Sequence, residues 1–244
     1  MKIKALLNRQ STITYLILLA FGFFSGCEKE ENNEYVSDLD GNRYTTIIIG
    51  DQEWFTENLV TTKLNDGTEI PLVTDNEEWG GLTSPAYCWY DNDSDIKNTY
   101  GNLYNWYAIE TGKLCPEGWH VPSDEEWKVL EIHLGLSMAD AEEFGYRGSN
   151  EASKLAGNYT LWQEGELRNN TEFEISGFYA LPGGARIAEE EYFVNIGQDA
   201  FFWTSTETSP ERALRRRINY SHANISRLAG DKYIGRSVRC IKDQ

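Results

Sequence analysis

The chain has 244 residues, and its 39 acidic side chains outnumber 22 lysines and arginines, which gives a formal net charge of −17. Such an excess of negative charge repels the phosphate backbone of nucleic acids and the surface of anionic membranes, and no basic stripe offsets it. We therefore exclude nucleic-acid binding. The length fits one globular domain with a full-sized hydrophobic core.

The N-terminal segment has the pattern of an export signal. Three basic residues precede a run of twelve largely apolar residues at 13–24, which two small residues and Cys27 follow. About 20 apolar residues are needed to cross a bilayer, so this run predicts the apolar region of a signal peptide over residues 1–26. The small-small-Cys ending resembles the bacterial lipobox, whose cysteine carries the lipid anchor. The alternative is an ordinary secretory signal with a chance cysteine.

An acidic tether is predicted between the signal peptide and the globular domain. Residues 28–31 read Glu-Lys-Glu-Glu, a cluster that resembles the signal sending Bacteroidetes lipoproteins to the outer face of the outer membrane. A merely solvated tether is the alternative. Loss of the signal peptide removes three basic residues and no acidic one, leaving 19 basic against 39 acidic side chains. The predicted organisation is a signal peptide over 1–26, a tether over 27–37 and a globular domain over 38–244.

The first half of the globular domain is predicted to combine a hairpin with helices. A β-branched strand at 44–49 turns at Gly50 into a second strand at 52–55. Residues 75–98 are polar and aromatic with little periodicity, which predicts a long surface loop. Ser123 and Glu126 have the spacing of a capping box, which marks a helix start. Helices are predicted over 100–111, 124–134, 137–144 and 151–156.

The second half changes towards the two-residue period of strands. Short apolar and aromatic runs alternate there with glycine-rich turns. Helices early and strands late indicate an α+β fold, in which the N-terminal hairpin and the C-terminal strands share a sheet. The predicted strands are 178–181, 192–194, 200–204, 212–220, 224–228 and 237–241.

Cysteine and histidine usage speaks against a metal centre. Assigning Cys27 to the lipid leaves Cys88, Cys115 and Cys240, an odd number for an oxidising compartment. The chain has no Cys-x-x-Cys pair and its three histidines lie far apart in sequence, so a zinc site is not expected. These residues alone leave the pairing of the three cysteines open.

Several blocks of sequence together resemble the Fibrobacter succinogenes major paralogous domain. They include Gly-Asp-Gln-Glu-Trp at 50–54, Tyr-Gly-Asn-Leu-Tyr-Asn-Trp-Tyr-Ala at 100–108 and Cys-Pro-Glu-Gly-Trp-His-Val-Pro-Ser at 115–123. Further blocks bring the resemblance to nearly all of 38–242. The segment 212–217, with three consecutive arginines, matches no block. The resemblance implies a surface lipoprotein and a fold more firmly than it implies an activity.

The segment 119–130 is also similar, more distantly, to C-type lectin-like domains and to formylglycine-generating enzymes. This likeness implies a compact C-type-lectin-like domain, with two to three helices packed on small antiparallel sheets and long loops. Lectin-like domains commonly tie their first helix to their last strand. The resemblance therefore implies a Cys115–Cys240 disulfide with Cys88 unpaired, while Cys88–Cys240 and Cys88–Cys115 remain alternatives.

An acidic loop follows the block that contains Trp89 and Tyr90. Asp91, Asp93 and Asp95 have the alternate spacing that opens a calcium loop, but an isoleucine occupies the sixth position, where glycine is needed. We interpret the segment as a polar turn and predict no metal site. With Asp91 and Asp93 beside them, Trp89 and Tyr90 are instead candidates for an exposed ligand-binding platform.

Trp162 is the further candidate binding residue. It lies in the stretch 159–166, which is more variable in the family that the chain resembles, and this favours an exposed ring able to stack on a sugar. For each of these aromatic residues, packing in the core is the alternative interpretation.

Catalytic motifs do not stand out. The sequence has no Gly-x-Ser-x-Gly, P-loop or His-Glu-x-x-His pattern. Formylglycine-generating enzymes need reactive cysteines in the C-terminal half, where this chain has Cys240 alone. We therefore assign no catalytic residue and no cofactor, and we expect a surface lipoprotein that binds extracellular glycan or protein. The alternatives are an enzyme of the formylglycine-generating fold with altered chemistry and a structural envelope protein without a discrete ligand.

Overall fold

The N-terminal hairpin forms where the β-branched run predicts it. The computed structural model describes residues 35–188 and 192–244, so the predicted signal peptide, Cys27 and the tether up to residue 34 lie outside the described residues. Strands β1 (Val36–Ser37) and β2 (Arg43–Tyr44) pair antiparallel, as do β3 (Thr46–Ile49) and β4 (Gln52–Phe55). The described residues, 35–188 and 192–244, belong to one compact unit. No helix within the described ranges is long and apolar enough to cross a membrane.

The last strand of the chain joins the hairpin in one sheet. In this four-stranded sheet, in the order β3-β4-β14-β7, β14 (Ile241–Lys242) lies between β4 and β7 (Trp119–His120). The prediction of a shared sheet is therefore confirmed for this strand. The other late strands belong to a second sheet.

The second sheet has six strands and forms the broad layer of the domain. Its order is β10-β9-β11-β12-β13-β8, and every pairing is antiparallel except β9 with β11. The predicted strand at 178–181 is wrong, because Tyr179 has a left-handed backbone that interrupts extended structure. The six strands are β8 (Gly145–Arg147), β9 (Gly183–Arg186), β10 (Phe193–Ile196), β11 (Asp199–Ser209), β12 (Arg212–Asn219) and β13 (Ile225–Asp231).

Most helices are short, and α4 (Asp124–His133) is the longest in the described chain. It begins at Ser123 with the predicted capping box: the Ser123 hydroxyl accepts from the Glu126 amide, and the Glu126 carboxylate accepts from the Ser123 amide. The predicted helices that follow it are confirmed as α5 and α6. The other helices are α1 (Asn76–Gly80), α2 (Lys97–Tyr100), α3 (Trp106–Glu110), α5 (Met138–Glu142), α6 (Glu151–Leu155) and α7 (Glu166–Asn169), with 3₁₀ turns at Tyr90–Asn92 and Tyr159–Leu161.

The predicted helix over 100–111 is only half right. Gly101 has a positive φ of 81°, and a β-carbon there would come within 2.6 Å of the Asn58 side chain. This close approach ends α2 and leads into strand β6 (Leu103–Tyr104), which pairs with β5 (Tyr87–Cys88). The helix therefore begins only at α3, where the Asn105 side chain caps it.

The segment predicted as a long surface loop, 75–98, has many exposed residues, but buried side chains anchor it to the domain. Trp79 and Cys88 are completely buried in a small apolar cluster. The buried guanidinium of Arg186 donates to the carbonyls of Val73 and Thr74 and lies 4.3 Å from the centre of the Trp79 ring. A side chain distant in sequence thus orders this segment.

Aromatic rings fill the space between the sheets and α4. Trp54, Trp127, Phe178 and Phe202 form successive edge and tilted contacts, with ring centres 5.3 to 5.8 Å apart. The domain is an α+β fold, as predicted. The Cys115–Cys240 disulfide is confirmed, with a Cα–Cα distance of 6.1 Å, and Cys88 is a buried free thiol.

Candidate functional site

The predicted platform consists of Trp89, Tyr90, Asp91 and Asp93. Its two rings are not both exposed to solvent. Tyr90 is only 7% exposed, because its ring packs against Phe193 with centres 5.3 Å apart, and Trp89 is half-buried. Asp91 and Asp93 are exposed, and the Asp93 carboxylate accepts from the backbone of the same turn. The expected exposure of Tyr90 is wrong, and of the two rings only that of Trp89 is partly accessible.

The expected exposure of Trp162 is also wrong. Trp162 is 2% exposed and belongs to one of the two large core clusters, and its Nε1 donates to the Gly157 carbonyl at 3.0 Å. Tyr159, three residues earlier, is 47% exposed. The segment does present an aromatic ring to solvent, but a different one from the ring we predicted.

The described ranges, 35–188 and 192–244, contain no group of three or more His, Cys, Asp or Glu residues placed to hold a metal ion. The acidic loop after Tyr90 accordingly has the geometry of a turn.

A groove beside the N-terminal hairpin is the strongest candidate site. It has a deeper half of about 280 Å³ and a shallower, more open half of about 670 Å³, which adjoin at Thr56, Glu57, Tyr179 and Leu181. We call it the hairpin groove. The deeper half is further lined by Asn42, Arg43, Tyr44, Asn58, Val60, Lys97, Asn98, Thr99 and Gly101, and the shallower half by Thr45, Asn158, Tyr159 and Glu174.

Unusual backbone conformations concentrate in the shallower half. Asn158, Glu174 and Tyr179 have φ angles of 55°, 69° and 55°, which make up half of the six positive-φ residues other than glycine in the described chain. Such angles are rare for a bulky residue such as tyrosine. They cost free energy and persist where the surrounding structure enforces them, which is common at ligand sites.

Arg239 enforces the conformation of Tyr179 from below. Its guanidinium is buried, donates to the carbonyls of Phe178 and Tyr179, and reaches the Asn58 side-chain oxygen at 2.8 Å. Burial lowers the pKa of Arg239. Among the described residues, no carboxylate is in contact with its guanidinium to oppose this shift. This side chain therefore fixes residues of both halves of the hairpin groove at once.

Two further contacts position the exposed tyrosines. Gly157 leaves room for Tyr179, because a β-carbon at Gly157 would lie 2.6 Å from the Tyr179 ring. The Arg168 guanidinium lies 4.6 Å from the centre of the Tyr159 ring and donates to the Trp162 carbonyl. Tyr159 and Tyr179 are thus 47% and 44% exposed, yet held by neighbours.

Polar side chains complete the hairpin groove. The Glu57 carboxylate accepts from the backbone amide and the hydroxyl of Thr45, at 2.9 and 2.6 Å. Asn58 donates to the Tyr100 carbonyl at 2.8 Å, while Asn98 is exposed. Rings, amides and carboxylates are therefore presented together, on backbone that is already ordered.

The sequence reasoning missed these groove residues. Tyr159 and Tyr179 each follow a glycine by two residues, but nothing in the sequence distinguishes them from aromatic residues of the core. Arg239 directly precedes a disulfide cysteine, and a cation at that buried position was the available signal for a special role.

Comparison with known proteins identifies the family. The family model of the Fibrobacter succinogenes major domain matches residues 47–242. No curated protein and no solved structure matches the chain. The matched region spans the hairpin, α4, both sheets and most of the hairpin groove, so the chain belongs to the Fibrobacter succinogenes major domain family.

Proposed function

We propose that the domain binds an extracellular glycan in the hairpin groove. A sugar ring presents C–H groups on its faces and hydroxyls around its edge. Exposed tyrosine rings pack against such faces, and amides and carboxylates form hydrogen bonds with the hydroxyls. Tyr159 and Tyr179, with Asn98 and Asn158 near them, supply both kinds of group.

The observation that carries this proposal is the strained backbone of Tyr179. A left-handed tyrosine costs about 1–3 kcal/mol that a glycine or asparagine would largely avoid. Here the strained backbone places an aromatic ring, 44% exposed, at the junction of the two halves of the hairpin groove. A concave site with few but ordered polar groups is the usual form of a small-ligand site.

The experiment is a glycan array on the full chain in detergent, followed by calorimetric titration of the ligands that bind. Tyr179→Asn removes the ring while keeping a residue that tolerates the left-handed conformation. We expect this variant and Tyr159→Ala each to weaken binding by at least about tenfold. Tyr192→Ala, which removes a tyrosine 39% exposed outside the groove lining, should bind as the wild type does. An empty array, or unchanged affinity in Tyr179→Asn, would contradict the proposal.

We also propose that the chain is a lipoprotein anchored through Cys27 and displayed on the cell surface. The support is the basic start, the apolar run at 13–24 and the small-small-Cys ending, together with the acidic tether. Cys27→Ala should abolish acyl labelling and release the protein from the membrane fraction. Replacing residues 28–31 with alanine should protect the anchored protein from protease added to intact cells. A labelled, membrane-bound Cys27→Ala variant would refute the anchor.

A further inference from the structure

Charge is divided unevenly along the hairpin groove. The deeper half contains both cationic side chains of the lining, Arg43 and Lys97. Glu57 lines both halves, and the shallower half adds Glu174 and has no cation in its lining. A ligand that spans the hairpin groove therefore meets two cations and one carboxylate in the deeper half, and carboxylates without a cation in the shallower half.

The two cations are held by aromatic rings and have no acidic partner. The Arg43 guanidinium lies 4.1 Å from the centre of the Tyr35 ring, and the Lys97 ammonium lies 5.7 Å from that of Trp89. Within residues 35–188 and 192–244, neither cation has a carboxylate oxygen within 4.0 Å. Nearby Lys63, by contrast, pairs with Asp40 at 3.3 Å.

The acidic groups around the deeper half are already engaged by other donors. Glu57 accepts from Thr45, Asp38 accepts from the Tyr44 hydroxyl at 2.6 Å, and Asp40 accepts from the Thr62 amide. Arg239 adds a third positive charge beneath the floor at Asn58. In a chain with net charge −17, two lining cations without a carboxylate within 4.0 Å, and a third beneath the floor, form a local exception that favours an anion.

We propose that the deeper half of the hairpin groove binds the carboxylate of a uronic acid unit, so that the glycan recognised is acidic. This inference rests on the proposed function. The arginine fork matches a carboxylate with two parallel hydrogen bonds, and the Lys97 ammonium supplies a second charge-assisted contact. The neutral remainder of the sugar chain extends over Tyr179 and Tyr159. Trp89 takes the role of a support for Lys97.

The test compares uronate oligosaccharides with their carboxyl-reduced counterparts, which differ only in that group. Neutral oligosaccharides that carry one terminal galacturonate, mannuronate or glucuronate unit, and their carboxyl-reduced forms, are titrated into the full chain in detergent. At least one uronate should bind about tenfold tighter than its reduced partner, and added salt should shrink the difference. Arg43→Gln and Lys97→Gln should each remove most of this preference. Lys113→Gln, an exposed lysine outside the groove lining, is the matched control and should preserve it.

The outcomes separate this inference from the proposed function. If neutral glycans bind through Tyr179 but no uronate is preferred, the carboxylate site is refuted and the glycan site stands. A preference that persists in both Arg43→Gln and Lys97→Gln also refutes the carboxylate site. If no member of either set binds and the glycan array is empty, both proposals fail.

Discussion

Tyr179 has a backbone conformation that lowers the stability of the fold and places its ring in the hairpin groove. Its φ of 55° is unfavourable for an aromatic side chain, and the Arg239 guanidinium and the bare backbone of Gly157 hold it there. The ring gains little burial in return, since it is 44% exposed. Strain without compensating burial is expected where a side chain serves a ligand rather than the core.

We predict that relieving this backbone strain stabilises the protein. Tyr179→Asn should raise the free energy of unfolding by about 1 kcal/mol, because asparagine tolerates the left-handed region better than tyrosine. Urea denaturation measures the change. Tyr159→Ala, whose backbone is not left-handed, should give no gain. A loss of stability in Tyr179→Asn would mean that ring packing outweighs strain at this position.

At the scale of elements, α4 is fastened to the six-stranded sheet by buried charge. Asp124 at its start accepts from Arg216 and Arg227, at 2.6 and 2.7 Å. In its last turn, Glu131 accepts from Arg216 and Arg147, at 2.6 and 2.7 Å. Burial alone would raise the pKa of Asp124, but the two arginines overcome it and hold the pKa at about 2. The arginine segment that matched no family block thus supplies a central part of the fold.

Breaking this network should be costly. Asp124→Asn leaves two buried guanidinium groups without their shared counter-charge, so we expect a loss of about 3–5 kcal/mol in the free energy of unfolding. Glu125→Gln is the neighbouring control, because the Glu125 side chain is 78% exposed in its pair with Lys128. An exposed pair is worth at most about 1 kcal/mol. Equal losses in the two variants would contradict a special role for the buried network.

A histidine joins α4 to the strands at the end of the chain. The two ring nitrogens of His120 on β7 contact Glu126 at 2.8 Å and Asp243 at 2.6 Å. The Glu126 carboxylate first, and Asp243 with it, raise the pKa of His120 to about 9, against a partial burial that lowers it. The imidazole is therefore charged at neutral pH and acts as a cationic link between two carboxylates.

This link predicts a loss of stability in mild alkali. Folding raises the pKa of His120 from 6.5 to about 9, so the native state binds more protons than the unfolded state between these values. Its contribution is complete below pH 6.5 and disappears as the pH rises through 9. Urea denaturation across this range should show the decline in the wild type and in His133→Gln, but a flatter profile in His120→Gln. A wild-type profile as flat as that of His120→Gln would refute the link.

At the scale of the whole molecule, the sequence predicts what depends on neighbours along the chain. The hairpin and the start of α4 follow from local turn and capping chemistry. The broken helix at Gly101 and the ordered segment around Trp79 depend on contacts with Asn58 and Arg186, which lie far away in sequence. No local pattern encodes such contacts.

The same limit applies to the candidate site. The aromatic residues could be identified from the sequence, but their exposure to solvent could not. The same residue types occur in the core and on the surface. Trp162 is buried and Tyr159 exposed within one short segment, since the ring of Trp162 fits the core cluster. The hairpin groove gathers residues from β2, α2 and several loops, so its distribution of charge exists only in three dimensions.

Cys88, Cys115 and Cys240 are expected to differ in their reaction with a thiol reagent. The Cys115–Cys240 bridge closes a loop with a sequence separation of 125 residues. Burial raises the pKa of the Cys88 thiol to about 12, although Arg186 opposes the shift. A buried, protonated thiol is unreactive, because the thiolate is the nucleophile. In the Cys27→Ala background, iodoacetamide should therefore label no cysteine in the native protein and Cys88 alone after unfolding without reductant.

The Cys115–Cys240 bridge is also expected to stabilise the Cys27→Ala protein. Chain-entropy reasoning gives a disulfide over such a long loop about 4–5 kcal/mol as an upper value. We therefore expect Cys115→Ser combined with Cys240→Ser to lower the free energy of unfolding by several kcal/mol, measured by urea denaturation with Cys27→Ala as the reference. Cys88→Ala removes a small buried group outside the bridge and should cost only about 1 kcal/mol. Labelling of Cys115 or Cys240 in unreduced, unfolded protein would show that the bridge does not form.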